Sequence, residues 1–262
     1  MPYLTANARR LFYTDQQPDA PGPALLLLHG AGASHLAWPG ALRRLAGRRV
    51  LALDLPGHGR SDPPGRRTVA HYATAVSGFI TAVGIPEVVV AGHSMGGAIA
   101  LAVAQEPPAA LRGLVLMSVG PRMRVNEALL GGLLADFEAA AGFIVDYGFS
   151  AAPDALRHKT RQALLATGAT TTFGDFLACS RFDARAQLAG IGLPALVIGG
   201  DDDRLTPPRQ MDALGEGLPH ARRARVQGAG HFVMLERPAE VAALVAGFLA
   251  TLPRSLPGQS AT

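Results

Sequence analysis

The sequence predicts an α/β protein in which a mostly parallel central sheet is flanked by helices. Short, continuous apolar runs are each bounded by Gly, Pro or Asp, which is typical of strands buried on both faces. Helical patterns lie between these runs, and strand–helix alternation gives parallel β-α-β units. The runs are residues 24–28, 50–53, 88–91, 114–117 and 195–198.

The helices are predicted from apolar residues spaced three and four apart. This spacing covers residues 69–83 and gives one apolar helix face. Residues 98–104 are almost wholly apolar, so we expect a deeply buried helix there. Pro238 at a first helical turn predicts a last helix through residue 252. Residues 3–14 indicate one or two antiparallel edge strands ahead of the parallel part.

One stretch interrupts this alternation, because residues 121–188 contain no obvious strand. Their helix-like apolar spacing predicts a helical insertion between two sheet strands, large enough to form a lid. Its bulky side chains are either the insertion's own core or the wall of a substrate pocket. As pocket candidates we take three of them and one further aromatic residue downstream: Phe137, Tyr147, Phe176 and Phe232. The segment 253–262 is small, polar and rich in turn residues, which predicts a disordered tail.

Composition and charge exclude several classes of protein. The net charge is +4, but the arginines are scattered in pairs and aromatic residues make up only 6% of the chain. A nucleic-acid-binding stripe is therefore not expected. The single cysteine, Cys179, allows no intramolecular disulfide and suits a reducing compartment. We see no signal peptide and no apolar run of membrane-spanning length, so we predict a soluble, cytoplasmic protein.

Ser94 is the predicted nucleophile. It lies in the run Gly92-His93-Ser94-Met95-Gly96, with an apolar strand before it and an apolar helix after it. A serine on so sharp a strand-to-helix turn has strained backbone geometry and needs small neighbours two residues away on either side. The turn also places the hydroxyl at a helix N-terminus, where partial positive charge favours a developing anion. The amide of Met95 is then one predicted oxyanion donor.

A serine hydroxyl needs a base, and the base needs a carboxylate that fixes its tautomer. Of the three histidines after Ser94, only His231 follows a strand and two glycines at the edge where catalytic groups collect in open α/β sheets. Three aspartates follow the strand at residues 195–198, namely Asp201, Asp202 and Asp203. Spacing alone does not choose among them. A metal site is not expected, since no further ligand cluster lies nearby.

Five motifs in chain order resemble those of the α/β-hydrolase superfamily. They are residues 29–32, 54–62, 92–96, 200–207 and 228–232. The resemblance implies that Asp203 is the acid, because it stands three residues after Gly200 and four before Pro207. It also implies that the Ala31 amide is the second oxyanion donor. The expected architecture is a hydrolase core at residues 1–120 and 189–252 with a helical cap at residues 121–188.

The predicted reaction is hydrolysis of a small or medium apolar carboxylic ester through an acyl-enzyme, with no metal or organic cofactor. A small-molecule substrate is the predicted partner, and neither nucleic acid nor a membrane is expected. The same residues would serve a C–C bond hydrolase, a lactonase or a cofactor-free perhydrolase. Two rival classes remain. A dinucleotide-binding protein is suggested by Gly30, Gly32 and Asp54, although His35 stands where a third glycine belongs. A non-catalytic ligand-binding protein could also retain this fold. Sequence does not indicate the oligomeric state.

Overall fold

The computed structural model describes residues 3–6 and 8–253, and a large sheet forms the centre of this part of the chain. Its strands are Tyr3–Ala6 (β1), Arg9–Gln16 (β2), Ala24–Leu28 (β3), Val50–Leu53 (β4), Val88–His93 (β5), Leu111–Met117 (β6), Ala195–Gly200 (β7) and Ala221–Val226 (β8). The strand order is β1-β2-β4-β3-β5-β6-β7-β8. β1 and β2 pair antiparallel, as do β2 and β4, and the remaining pairs are parallel. The predicted fold class, with its antiparallel edge, is confirmed.

Helices cover both faces of the sheet. They are Gly40–Arg43 (α1), Val69–Val83 (α2), Met95–Gln105 (α3), Glu127–Ala135 (α4), Phe137–Gly148 (α5), Asp154–Thr167 (α6), Ala169–Ser180 (α7), Pro208–Gly217 (α8), Val233–Glu236 (α9) and Pro238–Thr251 (α10). α2 has the predicted bounds because Thr68 caps its first turn through a hydrogen bond from the His71 amide, and Gly84 ends it with a left-handed backbone.

Four of these helices, α4 to α7, lie between β6 and β7, and we call them the cap. They have a small core of their own, formed by Leu133, Ala140, Ala141, Ile144, Val145, Phe149 and Leu164. No helix within the described residues is both long and apolar enough to cross a membrane. The predicted tail, apart from Pro253, lies outside the described residues.

The sheet positions the candidate site. In the parallel part, β3, β5, β6, β7 and β8 all run in the same direction, so their carboxyl ends meet at one edge. The loops that leave this edge carry Ala31 after β3, Ser94 after β5, Asp203 after β7 and His231 after β8. Four segments far apart in sequence are thereby brought to one place.

Candidate active site

Ser94 lies on a strained turn between β5 and α3. Its backbone has φ 51° and ψ −115°, a left-handed conformation that a serine rarely adopts. A Cβ atom at Gly92 would lie 2.1 Å from the Gly96 oxygen, and one at Gly96 would lie 2.1 Å from the Leu28 oxygen. Only glycine fits at either position, so the sequence here is dictated by the sharpness of the turn.

The predicted base and acid contact each other. His231 Nδ1 lies 2.9 Å from Asp203 Oδ2 and 3.2 Å from Asp203 Oδ1, and both side chains are buried. Asp203 Oδ1 also accepts hydrogen bonds from the amides of Leu205, at 2.9 Å, and Thr206, at 2.7 Å. The carboxylate is therefore held in place, and it fixes the imidazole with Nε2 free to accept a proton.

Ser94 and His231 line the same cavity. Within the described residues no hydrogen bond joins the two side chains. Such catalytic contacts are commonly long in the absence of substrate and shorten when it binds. The arrangement can therefore carry out nucleophilic attack once the serine hydroxyl turns toward the imidazole.

The candidate oxyanion donors flank Ser94. Ala31 follows β3 and lines the cavity, and in the described part of the chain its amide has no hydrogen-bond partner. Met95 is the first residue of α3, so its amide has no partner within the helix. Both amides are thus available to an anion formed beside the serine.

Two neutral histidines support this arrangement through the backbone. His93 Nε2 donates to the His231 carbonyl at 2.9 Å, and burial, followed by the nearby charge of His231, lowers the pKa of His93 to about 3. His29 Nε2 accepts from the Leu55 amide at 3.1 Å, so its Nδ1 carries the proton and donates to the Gly30 oxygen at 2.9 Å. Burial, with His58 nearby, lowers the pKa of His29 to about 4. These contacts give both histidines a structural role.

These lowered pKa values predict an acid-labile fold. His29 and His93 stay neutral in the folded protein but take up protons near pH 6.5 when unfolded, so stability is lost as the pH falls from 6.5 toward 4. Each of these two histidines should lower the free energy of unfolding by about 1.4 kcal/mol per pH unit in that window. His58 opposes this effect. Burial disfavours its cation, but the charge of Asp175 and the hydrogen bond to it outweigh burial and raise the pKa of His58. Its stabilisation is therefore present in acid and lost on the alkaline side.

Urea unfolding at pH 7.5 and pH 5.0 measures the balance. We expect the free energy of unfolding to be lower at pH 5.0 than at pH 7.5, since two histidines act against one. In His93→Gln the difference should shrink, because one of the opposing titrations is removed. An equal or higher free energy at pH 5.0 in the unaltered protein would contradict this account.

The cavity between cap and core has a volume of about 1390 Å³. Of the predicted pocket residues, Tyr147, Phe176 and Phe232 line it. Phe137 is not among the lining residues and packs against the cap core instead. Helical spacing does not reveal which apolar side of a cap helix faces the pocket, so this difference could not be read from sequence.

The structure also assigns contacts to Asp175, which sequence reasoning did not single out. Asp175 on α7 is fully buried and lies within hydrogen-bond distance of His58 Nε2, the Tyr72 hydroxyl and the Gly32 amide. These partners lie more than 100 residues away from it in the chain. A local pattern therefore gives no signal for them.

A dinucleotide-binding protein would use Asp54 to bind a ribose, but here Asp54 forms hydrogen bonds within the protein. It is fully buried and accepts hydrogen bonds from the His35 amide at 2.7 Å, His35 Nδ1 at 2.8 Å and the Arg60 amide at 2.9 Å. Because these contacts occupy its oxygens, this residue does not support the dinucleotide-binding interpretation. Within residues 3–6 and 8–253, no group of three or more His, Cys, Asp or Glu side chains could hold a metal ion.

A mostly parallel sheet whose strained serine turn, imidazole and carboxylate meet at one edge is typical of an α/β-hydrolase. Comparison with known proteins gives the same class. Residues 25–244 match the model of the Alpha/beta hydrolase family. The chain belongs to this family and is an enzyme.

Relatives with stated activities are similar over most of their length. The chain is 30% identical to 2-hydroxymuconate semialdehyde hydrolase of Pseudomonas putida, covering 91% of each protein. It is 32% identical to pimeloyl-[acyl-carrier protein] methyl ester esterase of Xanthomonas campestris pv. campestris strain B100, covering 88% of this chain and 97% of the esterase. A solved thermophilic esterase superimposes with a TM-score of 0.86 at 27% identity, covering 97% and 98% of the two chains. All three are hydrolases.

Proposed function

We propose that the protein hydrolyses carboxylic esters through an acyl-enzyme on Ser94. The observation that carries this proposal is that Ser94 and His231 line one cavity, while Asp203 holds the far nitrogen of the imidazole at 2.9 Å. Nucleophile, base and orienting carboxylate form the arrangement that acyl transfer requires. Two of the relatives described above are esterases, which favours an ester over other acyl substrates.

The proposed reaction has two halves. His231 Nε2 takes the Ser94 proton as the hydroxyl oxygen attacks the ester carbonyl, and the amides of Ala31 and Met95 bind the resulting oxyanion. The tetrahedral intermediate collapses, and His231 gives its proton to the leaving alcohol. Water then attacks the acyl-enzyme with His231 as base, which releases the acid and restores Ser94. Asp203 stabilises the imidazolium in both halves and keeps its own charge.

The cavity favours an apolar acyl group of medium length. Its volume of about 1390 Å³ exceeds that of most small-molecule sites. Much of its wall consists of apolar cap side chains, among them Leu129, Phe143, Ile144, Leu156, Leu164 and Phe176. Burying each further CH₂ of a substrate against such a wall is worth up to about 0.8 kcal/mol.

A panel of p-nitrophenyl esters from acetate to palmitate tests this substrate class. We expect kcat/KM to rise about two- to fourfold for each added CH₂, from acetate to about octanoate. Ala163→Phe places a bulky side chain on the wall and narrows the cavity. It should remove the preference for longer acyl chains and leave turnover of the acetate ester unchanged. Ala155→Phe on the same helix is the control, because Ala155 does not line the cavity. Absence of turnover above a Ser94→Ala control would refute the proposal.

A C–C bond hydrolase or lactonase is the second candidate. The relative from Pseudomonas putida favours the first of these. Four cationic residues line the cavity, with Asp136 as the one carboxylate among the described lining residues. The cations are Arg43, Arg124, Lys159 and Arg204, and Arg43 Nε is buried with no partner among the described residues. Positive charge suits an acidic substrate. A vinylogous diketone acid that is hydrolysed faster than every ester in the panel would favour this candidate.

We further propose that residues 1–120 and 189–252 form the core and that residues 121–188 form the cap. The buried, unpaired thiol of Cys179 suits the proposed cytoplasmic location. A small-molecule substrate in the cavity remains the proposed partner, and we expect no nucleic-acid partner.

A further inference from the structure

Asp175 of the cap forms a hydrogen bond with the loop after β3, which carries the candidate oxyanion donor Ala31. Asp175 Oδ2 accepts a hydrogen bond from the Gly32 amide at 2.8 Å and lies 2.7 Å from His58 Nε2, while Oδ1 accepts from the Tyr72 hydroxyl at 2.6 Å. His58 Nδ1 faces the Pro56 carbonyl at 3.1 Å, so both ring nitrogens of His58 meet acceptors and the ring is an imidazolium. A fully buried carboxyl group therefore holds the Gly32 amide, next to Ala31.

A second cap residue holds the other side of Gly32. Thr167, the last residue of α6, donates its hydroxyl proton to the Gly32 carbonyl at 2.8 Å. Asp175 and Thr167 thus hold the peptide groups before and after Gly32. The peptide group that contains the Ala31 amide is the next one toward the N-terminus, so the cap restrains the backbone directly beside the candidate oxyanion donor.

Packing fixes Gly32 against the same two helices. Its φ of 65° is left-handed, and a Cβ atom there would lie 2.6 Å from Leu164 Cδ2 on α6 and 3.0 Å from Thr172 Oγ1 on α7. The loop leaves no room for a side chain between itself and the cap. Hydrogen bonds and close packing therefore act on one residue from two cap helices.

We propose that Asp175 and Thr167 are positioning residues that aim the Ala31 amide at the oxyanion. This inference rests on the proposed ester hydrolysis. It makes the cap part of the apparatus that stabilises the transition state, in addition to its role as a wall of the pocket. Since loss of one oxyanion donor costs about 10²–10³-fold in kcat, partial misplacement should cost less.

Matched threonine variants test the contact with Gly32 and leave the buried Asp175 and His58 unchanged. Thr167→Val removes the hydroxyl and keeps the shape, and we expect kcat for p-nitrophenyl butyrate to fall about tenfold with KM within twofold. Thr167→Ser should restore kcat. Thr81→Val is the control, because Thr81 Oγ1 donates to the Ser77 carbonyl of its own helix in an exposed hydrogen bond. Affinity for a trifluoromethyl ketone, which forms an oxyanion adduct, should fall by the same factor as kcat/KM.

Asp175→Asn and Tyr72→Phe separate positioning from stability. Asp175→Asn weakens the acceptor at the Gly32 amide, and kcat should fall about 10- to 100-fold. Tyr72→Phe removes one donor from Asp175 but leaves both bonds to Gly32, so it should lower Tm while kcat changes less than threefold. Thermal unfolding shows whether each variant folds.

Two outcomes would overturn the inference. In the first, the unaltered enzyme hydrolyses the ester and both Thr167→Val and Asp175→Asn keep its kcat, which refutes the positioning role alone. In the second, the unaltered enzyme is no faster than Ser94→Ala, which refutes the proposed function and the inference with it.

Discussion

Ser94→Ala is expected to lower kcat for p-nitrophenyl butyrate by roughly 10⁵-fold or more, because removal of the nucleophile leaves only binding and the oxyanion donors. The fold should be unaffected, since alanine meets the same backbone strain at φ 51° that serine does. Turnover kinetics and circular dichroism measure these two properties, and a fluorophosphonate probe should no longer label the variant.

Ser118 provides a matched control for this experiment. It is also buried, has a φ of 50° and follows the neighbouring strand β6, but it does not line the cavity. Ser118→Ala should therefore keep both turnover and probe labelling. If Ser94→Ala kept its turnover, or if the probe labelled Ser118 in place of Ser94, the nucleophile would be wrongly assigned. Labelling of neither serine would favour the non-catalytic ligand-binding protein.

The strands and the nucleophile turn could be predicted because their signals are local. An apolar run bounded by turn residues marks each buried parallel strand, and the two glycines around Ser94 follow from a turn with no room for a Cβ atom. Even the error at β6 is local. The strand begins at Leu111, earlier than predicted. Its start was not recognised because Arg112, which pairs with Glu87, interrupts the apolar run.

The contacts of the cap could not be predicted, because they join residues far apart in sequence. Asp175 is a single polar residue on a cap helix, and nothing near it in the chain indicates burial or a contact with Gly32. The packing of Phe137 against the cap core could not be predicted for a related reason, since a helix between this core and the pocket has apolar residues on two sides. The contacts of Asp175 and of Phe137 both depend on how the cap helices pack in three dimensions.

The choice among three aspartates gives the second large expected effect. Asp203→Asn should lower kcat by about 10³–10⁴-fold, because an amide cannot stabilise the imidazolium and stabilises the wrong imidazole tautomer. The substitution keeps the shape of the side chain. The amides of Leu205 and Thr206 would still find an acceptor at Oδ1, so the loop should retain its conformation.

The neighbouring aspartates serve as controls because the structure gives them other partners. Asp201 Oδ1 lies 3.7 Å from Arg225 Nη1 in a partly exposed ion pair, and Asp202 accepts an exposed hydrogen bond from the Ser150 hydroxyl at 2.6 Å. Asp201→Asn and Asp202→Asn should each keep kcat within about twofold, since exposed contacts of this kind contribute little. If either variant lost more activity than Asp203→Asn, the orienting carboxylate would have to be reassigned. The contact at 2.9 Å between His231 Nδ1 and Asp203 Oδ2 would then be structural.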